Sequence, residues 1–159
     1  MNKILFSCYF KVDRHASKKN EKTIRKVGNK RFIGNKDKCD ISTKWMLQKL
    51  TSERFKQRIT TIDCDVNLCC TFYYPYTVYF TKKGVRSLTI GDLSNLYELP
   101  QDCLQSVGII ENDTLIVSHN GSSRQPIKSN EYYLKIVITK TEREFNAEEF
   151  KTFSLEHKT

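Results

Sequence analysis

Carboxylates at Asp92, Glu98, Asp102 and Asp113 fall within 22 positions of a 159-residue chain whose formal net charge is +9. Acids gathered in a basic chain suit a divalent cation facing a polyanion. Hard carboxylate oxygens hold magnesium, and a cation-rich surface draws phosphate. A plainer reading stands beside this one, in which the same residues cap and solvate a short helix. Around the acids the chain reads Gly91-Asp92-Leu93-Ser94-Asn95-Leu96-Tyr97-Glu98, then Gly108, Asn112-Asp113, and His119-Asn120-Gly121-Ser122-Ser123-Arg124.

These residues need elements to position them. A short helix is expected after Asp92, with Asn95, Glu98 and Asp102 on one face and Leu96, Leu99 and Cys103 on another. Pro100 cannot donate to the Leu96 carbonyl, so the helix should kink or restart there. Gly108 suits a left-handed helix stop. Upstream, Lys3–Phe10 reads as a first strand, and 13–37 as a long polar loop with a Gly28-Asn29 turn between extended pieces around Ile24 and Phe32. Asp40 or Ser42 is placed to cap a helix to about Gln57, with Ile41, Trp45, Met46 and Leu50 on its apolar face and Trp45 as a core anchor. Thr60–Tyr74 alternates apolar and polar residues as a long half-buried strand does, and Pro75 ends it. An irregular or hairpin excursion over Tyr76–Leu88 follows. Leu115–Ser118 and Tyr132–Thr139 read as strands separated by an Asn120-Gly121 turn. The spacing of Phe145, Phe150 and Phe153 suggests an amphipathic helix in the tail. The expected fold is therefore α/β (α+β): one small domain over 1–140 with helices on a mixed sheet, and a charged tail over 141–159.

Charge is segregated. Residues 1–60 carry 17 Lys and Arg against 5 Asp and Glu, whereas the rest carry 10 against 13. The first third is a polyanion-attracting surface and the acids lie beyond it. Lys18, Lys19, Lys22, Arg25 and Lys26 in the basic loop are candidate phosphate contacts. So are Lys82, Lys83 and Arg86, interleaved with Tyr76, Tyr79 and Phe80, and Arg124 further on. Six cysteines include no Cys-x-x-Cys pair and none at zinc-ligand spacing from a histidine, so we read them as reduced core residues. The three histidines support no hydrolytic triad. No apolar run is long enough to span a membrane, and a cytoplasmic location is expected.

The stretch from Gly91 to Arg124 resembles the RusA family of Holliday junction resolvases, most closely its phage members. That family carries an Asp-Leu-Asp/Ser-Asn block, an Asp-Ala-Leu triplet, a Gly and an Asp-Asp-Ser/Thr block. Here these read Asp92-Leu93-Ser94-Asn95, Asp102-Cys103-Leu104, Gly108 and Asn112-Asp113-Thr114. The order of elements agrees over about residues 3–140, by pattern only outside 91–124. The resemblance implies a homodimer that nicks opposed strands of a four-way DNA junction, with magnesium or manganese held by carboxylates. Asp92 and Asp113 match essential family acids, and Asn112 a less critical one. Ser94 stands where the best-known members have a third essential Asp, and Glu98 where they have a Lys. Losing an acid at 94 and gaining one at 98 conserves local charge, which makes Glu98 and Asp102 the candidate substitutes.

The leading expectation is a magnesium-dependent endodeoxyribonuclease that resolves branched DNA, with Asp92, Asp113 and Glu98 as metal ligands and Asp102 beside them. The alternative is a catalytically weak or inactive RusA-like accessory that binds branched DNA. A third reading is a protein-binding module for an acidic partner.

Overall fold

The computed structural model describes residues 2–17, 22–27, 30–35, 37–141 and 147–157, with the backbone alone for 22–40 and for Ala147. In chain order the elements are β1 (Ile4–Val12), β2 (Lys22–Val27), β3 (Lys30–Asn35), α1 (Asp37–Gln57), β4 (Val66–Pro75), α2 (Tyr76–Tyr79), α3 (Leu93–Leu96) and α4 (Glu98–Ser106). A 3-10 turn (Asp113–Leu115) then leads to β5 (Ile116–Ser118), β6 (Ser123–Ile127), β7 (Tyr132–Lys140) and α5 (Ala147–Glu156). The five-stranded sheet has the order β1-β7-β4-β5, with β6 also paired to β4. β7 is antiparallel to both β1 and β4, whereas β5 and β6 run parallel to β4. The sheet is thus mixed and the architecture α+β. Among the described residues no helix is long and apolar enough to cross a membrane.

Period-two alternation builds the core. Phe6, Cys8, Phe10 and Val12 of β1, Val66, Leu68, Cys70, Phe72 and Tyr74 of β4, and Leu134, Ile136 and Ile138 of β7 are all buried. Met46 and Leu50 of α1, together with Leu96, Leu99, Cys103 and Leu104 of α3 and α4, complete the same cluster. Each fully buried Leu contributes about 1.5–3 kcal/mol relative to exposure. That burial, rather than helix propensity, sustains helices as short as α3 and α4. Cys8, Cys64, Cys69, Cys70 and Cys103 are free thiols. Burial pushes Cys8 up to about 12 and Cys70 higher still, as expected of inert core thiols. Cys39 has no described side chain.

β1 is an edge strand, and α1 covers part of that edge. Trp45 Nε1–H donates to the Lys11 carbonyl at 2.9 Å, and the Gln57 amide donates to the Ser7 carbonyl at 2.8 Å. Two edge carbonyls are thereby taken out of reach of another chain. Trp45 is half-buried against the core, in keeping with its expected anchoring role.

Several boundaries differ from expectation. β1 runs on to Val12 because Lys11 simply takes an outward position, with Val12 buried behind it. The extended pieces expected around Ile24 and Phe32 are β2 and β3, which pair antiparallel with Val27 opposite Lys30. The Gly28-Asn29 turn itself lies outside the described residues. α1 begins at Asp37, so neither Asp40 nor Ser42 is its cap. Ser42 is instead buried, its hydroxyl donating to the Asp13 carboxylate at 3.0 Å. Ile41 and Phe55 are 57% and 86% exposed, so the buried face of α1 is narrower than predicted. β4 starts only at Val66, although Ile62 already bridges to Ile110. Leu115 closes the 3-10 turn rather than opening β5. β6 was not expected: Ser-Arg-Gln-Pro-Ile has no alternation, and pairing with β4 alone makes it a strand. In α5, Phe150 and Phe153 are 58% and 56% exposed, and Phe145 lies outside the described residues.

The α3–α4 segment breaks where Pro100 requires. α3 stops at Leu96, whose carbonyl receives no proline N–H, and Pro100 falls in the first turn of α4. At the far end Gly108 adopts φ +76. Its N–H donates to the Gln105 carbonyl and that of Ile109 to the Leu104 carbonyl, both at 3.0 Å. This paired closure satisfies the last carbonyls of α4 and needs a left-handed residue.

His15, just beyond β1, gives the fold a pH dependence. Its Nε2–H donates to the Tyr73 carbonyl at 2.9 Å, and its ring lies against Phe72, Tyr74 and Tyr132. Burial pushes the imidazole from 6.5 down to about 4, against the upward pull of its backbone hydrogen bonds. Between those values the unfolded chain binds the extra proton, so stability is complete above pH 6.5 and falls as the pH drops towards 4. The expected loss is on the order of 3 kcal/mol. Urea melts of the wild type and of His15→Phe across this window should differ in slope, with the variant flatter. Parallel curves would remove His15 as the cause.

Candidate functional site

The segment from Gly91 to Glu111 is laid antiparallel along β4. At one end an Arg124 guanidinium N–H from β6 donates to the Gly91 carbonyl. In the middle Tyr97 lies 6.3 Å from the Phe72 ring and stacks on His119 at 3.9 Å. At the other end Ile62 N–H donates to the Ile109 carbonyl, and Glu111 N–H to the Ile62 carbonyl, each at 2.9 Å. The buried Leu96, Leu99, Cys103 and Leu104 face the sheet and leave Glu98 exposed and Asp102 half-buried, as their spacing predicts.

The two leading acids occupy opposite ends of this segment. Asp92 takes the N-cap position of α3 with extended dihedrals, yet its side chain makes no cap hydrogen bond. The plainer reading, in which Asp92 caps a helix, therefore lacks the bond that defines it. Its carboxylate is exposed, while Arg124 anchors the preceding peptide. Asp113 is exposed as well, and its backbone N–H donates to Gln105 Oε1 of α4 at 2.9 Å. Asn112 does act as a cap, its Oδ1 accepting from Thr114 N–H at 2.8 Å.

Their separation follows from strand register. Arg124 is paired with Phe72 and Ile116 with Val66. Six residues of β4 at roughly 3.3 Å each put these two levels about 20 Å apart. Asp92 follows the carbonyl that the Arg124 side chain holds at the first level, and Asp113 lies three residues before Ile116 at the second. Consistent with this, the described residues contain no group of three or more His, Cys, Asp or Glu side chains placed to hold a metal. Asp92, Glu98 and Asp113 are thus not gathered within the chain. The donor chemistry of the two exposed acids still suits magnesium, which is commonly held by one or two carboxylates along with phosphate oxygens and water.

The conspicuous run from His119 to Arg124 proves largely structural. β5 and β6 pair with different stretches of β4, and side chains bridge the gap between them. Asn67 Oδ1 accepts from Ser118 Oγ at 2.6 Å and from Asn120 N–H at 2.8 Å, and Cys70 N–H donates to Ser122 Oγ at 2.9 Å. Gly121, at φ +85, passes so close to Cys69 that a Cβ would stand 3.2 Å from its sulfur. His119 Nδ1–H donates to the Leu68 carbonyl, which leaves Nε2 to accept from the Gln101 amide at 3.0 Å. Burial lowers the His119 pKa, so the ring is neutral with both nitrogens engaged. Sequence reasoning did not foresee this Tyr97–His119–Gln101 cluster, since its members are joined only by the fold.

The basic candidates divide by location. Lys82, Lys83 and Arg86 are exposed at the turn after α2. Arg124 is half-buried and bound to Gly91, so it positions the acid segment. Lys22, Arg25 and Lys26 lie on β2 with only their backbone described, and Lys18 and Lys19 lie outside the described residues. No protein-family model matches the chain, and no curated protein matches it at a significant level.

Replacing Arg124 tests its positioning role. Arg124→Gln removes a charged donor from the Gly91 carbonyl and should cost about 1.5–3 kcal/mol, with faster amide exchange over residues 87–92. A variant of undiminished stability that only binds DNA more weakly would make Arg124 a phosphate contact.

Proposed function

We propose that this protein is a metal-dependent, structure-selective endonuclease of the RusA type that acts on four-way DNA junctions as a homodimer. One observation carries the reading. The peptide before Asp92 and the N–H of Asp113 are both anchored by side-chain hydrogen bonds, while their carboxylates remain exposed, and Asp92 is not used as a cap. Acids held in place yet left free suit ligands for a cation that arrives with substrate. The segregated charge of the first third supports a polyanionic partner.

The separation of the acids gives the dimer a specific role. Magnesium, or manganese in its place, would be held by Asp92 of one chain and Asp113 of the other, with Glu98 and Asp102 as further acids on α4. When bound, such a cation makes a water nucleophilic and offsets charge developing on the phosphate. A two-fold dimer repeats the pairing and yields two sites for the two opposed strands of a junction. The β2–β3 hairpin and the Lys82–Arg86 turn would supply phosphate contacts that position the DNA without reading its sequence. Ser94 and Glu98 favour the second reading, a branched-DNA-binding accessory with little or no cleavage.

Variant mixing separates these readings. Asp92→Asn and Asp113→Asn should each reduce nicking at least about 100-fold while junction binding persists. Mixed and refolded together, the two variants should recover roughly a quarter of wild-type nicking, because half the dimers then carry one intact site. No recovery would place both ligands in one chain. Wild-type protein that binds junctions but nicks none with either metal supports the accessory role, and full nicking by both variants would remove these acids from the reaction.

A further inference from the structure

The excursion between β4 and Asp92 has its own architecture. α2 is a single turn, with Phe80 N–H donating to the Tyr76 carbonyl at 3.0 Å. Beyond it Thr81 N–H donates to Val85 at 2.7 Å, Gly84 N–H to Thr81 at 2.9 Å and Ser87 N–H to Tyr79 at 2.8 Å. Phe80 and Arg86 form a bridge across this turn. Local backbone bonds therefore give the excursion a defined shape. They enclose an open cavity of about 540 Å³ lined by Tyr76, Thr77, Phe80, Thr81, Lys82 and Gly84.

The lining is unlike core packing. Tyr79 turns towards the sheet, its ring 6.3 Å from that of Tyr74, as an anchor does. Tyr76 and Phe80 face the cavity instead, meeting at 82° with centroids 5.6 Å apart, and Tyr76 remains 41% exposed. Two rings at right angles form a corner that presents aromatic surface on two sides. Lys82 lines it and is exposed, Lys83 and Arg86 are exposed nearby in the chain, and Tyr76–Gly91 contains no Asp or Glu. The excursion itself is therefore cationic, with its first carboxylate at Asp92 beyond its end.

We propose that this cavity binds an unpaired nucleotide, its base against the Tyr76–Phe80 corner and its phosphate towards Lys82. The volume lies within the roughly 300–1,000 Å³ of small-ligand sites. Every base offers a π-face, so aromatic stacking beside a cation captures single-stranded positions with little regard to sequence. The site rests on the nucleic-acid part of the proposed function and deepens it. Ser87, pinned to Tyr79, is five residues from Asp92, at most about 18 Å of extended chain. A base unpaired at a branch point would thus be held on the segment that leads into Asp92, which selects for branched over continuous duplex.

A short single strand containing 2-aminopurine reads the site directly, because stacking quenches its emission. Full-length wild type should quench it. Tyr76→Ala and Phe80→Ala should lose the quench and bind the strand about ten-fold more weakly, with blunt duplex affinity unchanged. Phe80→Trp should retain both properties. Lys82→Gln should lower the salt slope for the single strand by about 0.7. Should Phe80→Ala fail to fold, the exposed Tyr76 and Lys82 variants decide. Full quenching by Tyr76→Ala, or equal losses by Tyr76→Ala on duplex and single strand, would overturn the site. Wild type that binds junctions yet leaves the probe bright overturns the site and spares the endonuclease reading, whereas failure to bind DNA of any form overturns both.

Discussion

A strand paired antiparallel on one side and parallel on the other constrains how the chain can return to it. β4 is such a strand, with β7 on one edge and β5 and β6 on the other. Parallel pairing cannot be closed by a tight turn; it needs a crossover long enough to run back along the sheet. Here that crossover contains α3 and α4, so the acid-bearing segment must lie antiparallel to β4. Leu96, Leu99, Cys103 and Leu104 lock it there by burial. Asp92 and Asp113 therefore stand at the two ends of the crossover, before α3 and after α4.

The same constraint makes the neighbouring polar cluster structural. With β5 and β6 engaging different stretches of β4, backbone groups between them lose regular ladder partners, and leaving such groups unpaired near the core is costly. Asn67, His119 and Ser122 meet that need. His119, between Ser118 and Asn120, supports no hydrolytic triad in the linear reading either. Its engaged nitrogens and stacked ring instead make it a rivet between β4 and α4. Exposed charged side chains lie instead at the two ends of the crossover, Asp92 and Asp113, and on the excursion before it, Lys82, Lys83 and Arg86.

Two kinds of interaction thus divide the work. Apolar burial sets where the crossover lies, and single directed hydrogen bonds, from Arg124 to Gly91 and from Asp113 to Gln105, set how its ends present their acids. The first is non-directional and tolerates volume-conserving exchange; the second depends on individual donors and acceptors.

Local pattern was legible wherever a rule acts over a few residues. Apolar runs marked β1 and β7, period-two alternation marked β4, Pro100 marked the helix break, Gly108 a left-handed stop and Asn120-Gly121 a turn. The acidic blocks and the charge segregation were equally plain in the sequence. What only tertiary structure decided involves partners distant along the chain. β6 exists because β4 offers it an edge, Arg124 faces Gly91 rather than solvent, and Ile41 stays exposed although Trp45, one turn on, packs against the core. The sequence placed Asp92 and Asp113 in one acidic stretch, but linear spacing says nothing of direction in space. The fold puts them at the two ends of the crossover, and among the described residues no three acids are gathered to hold a metal.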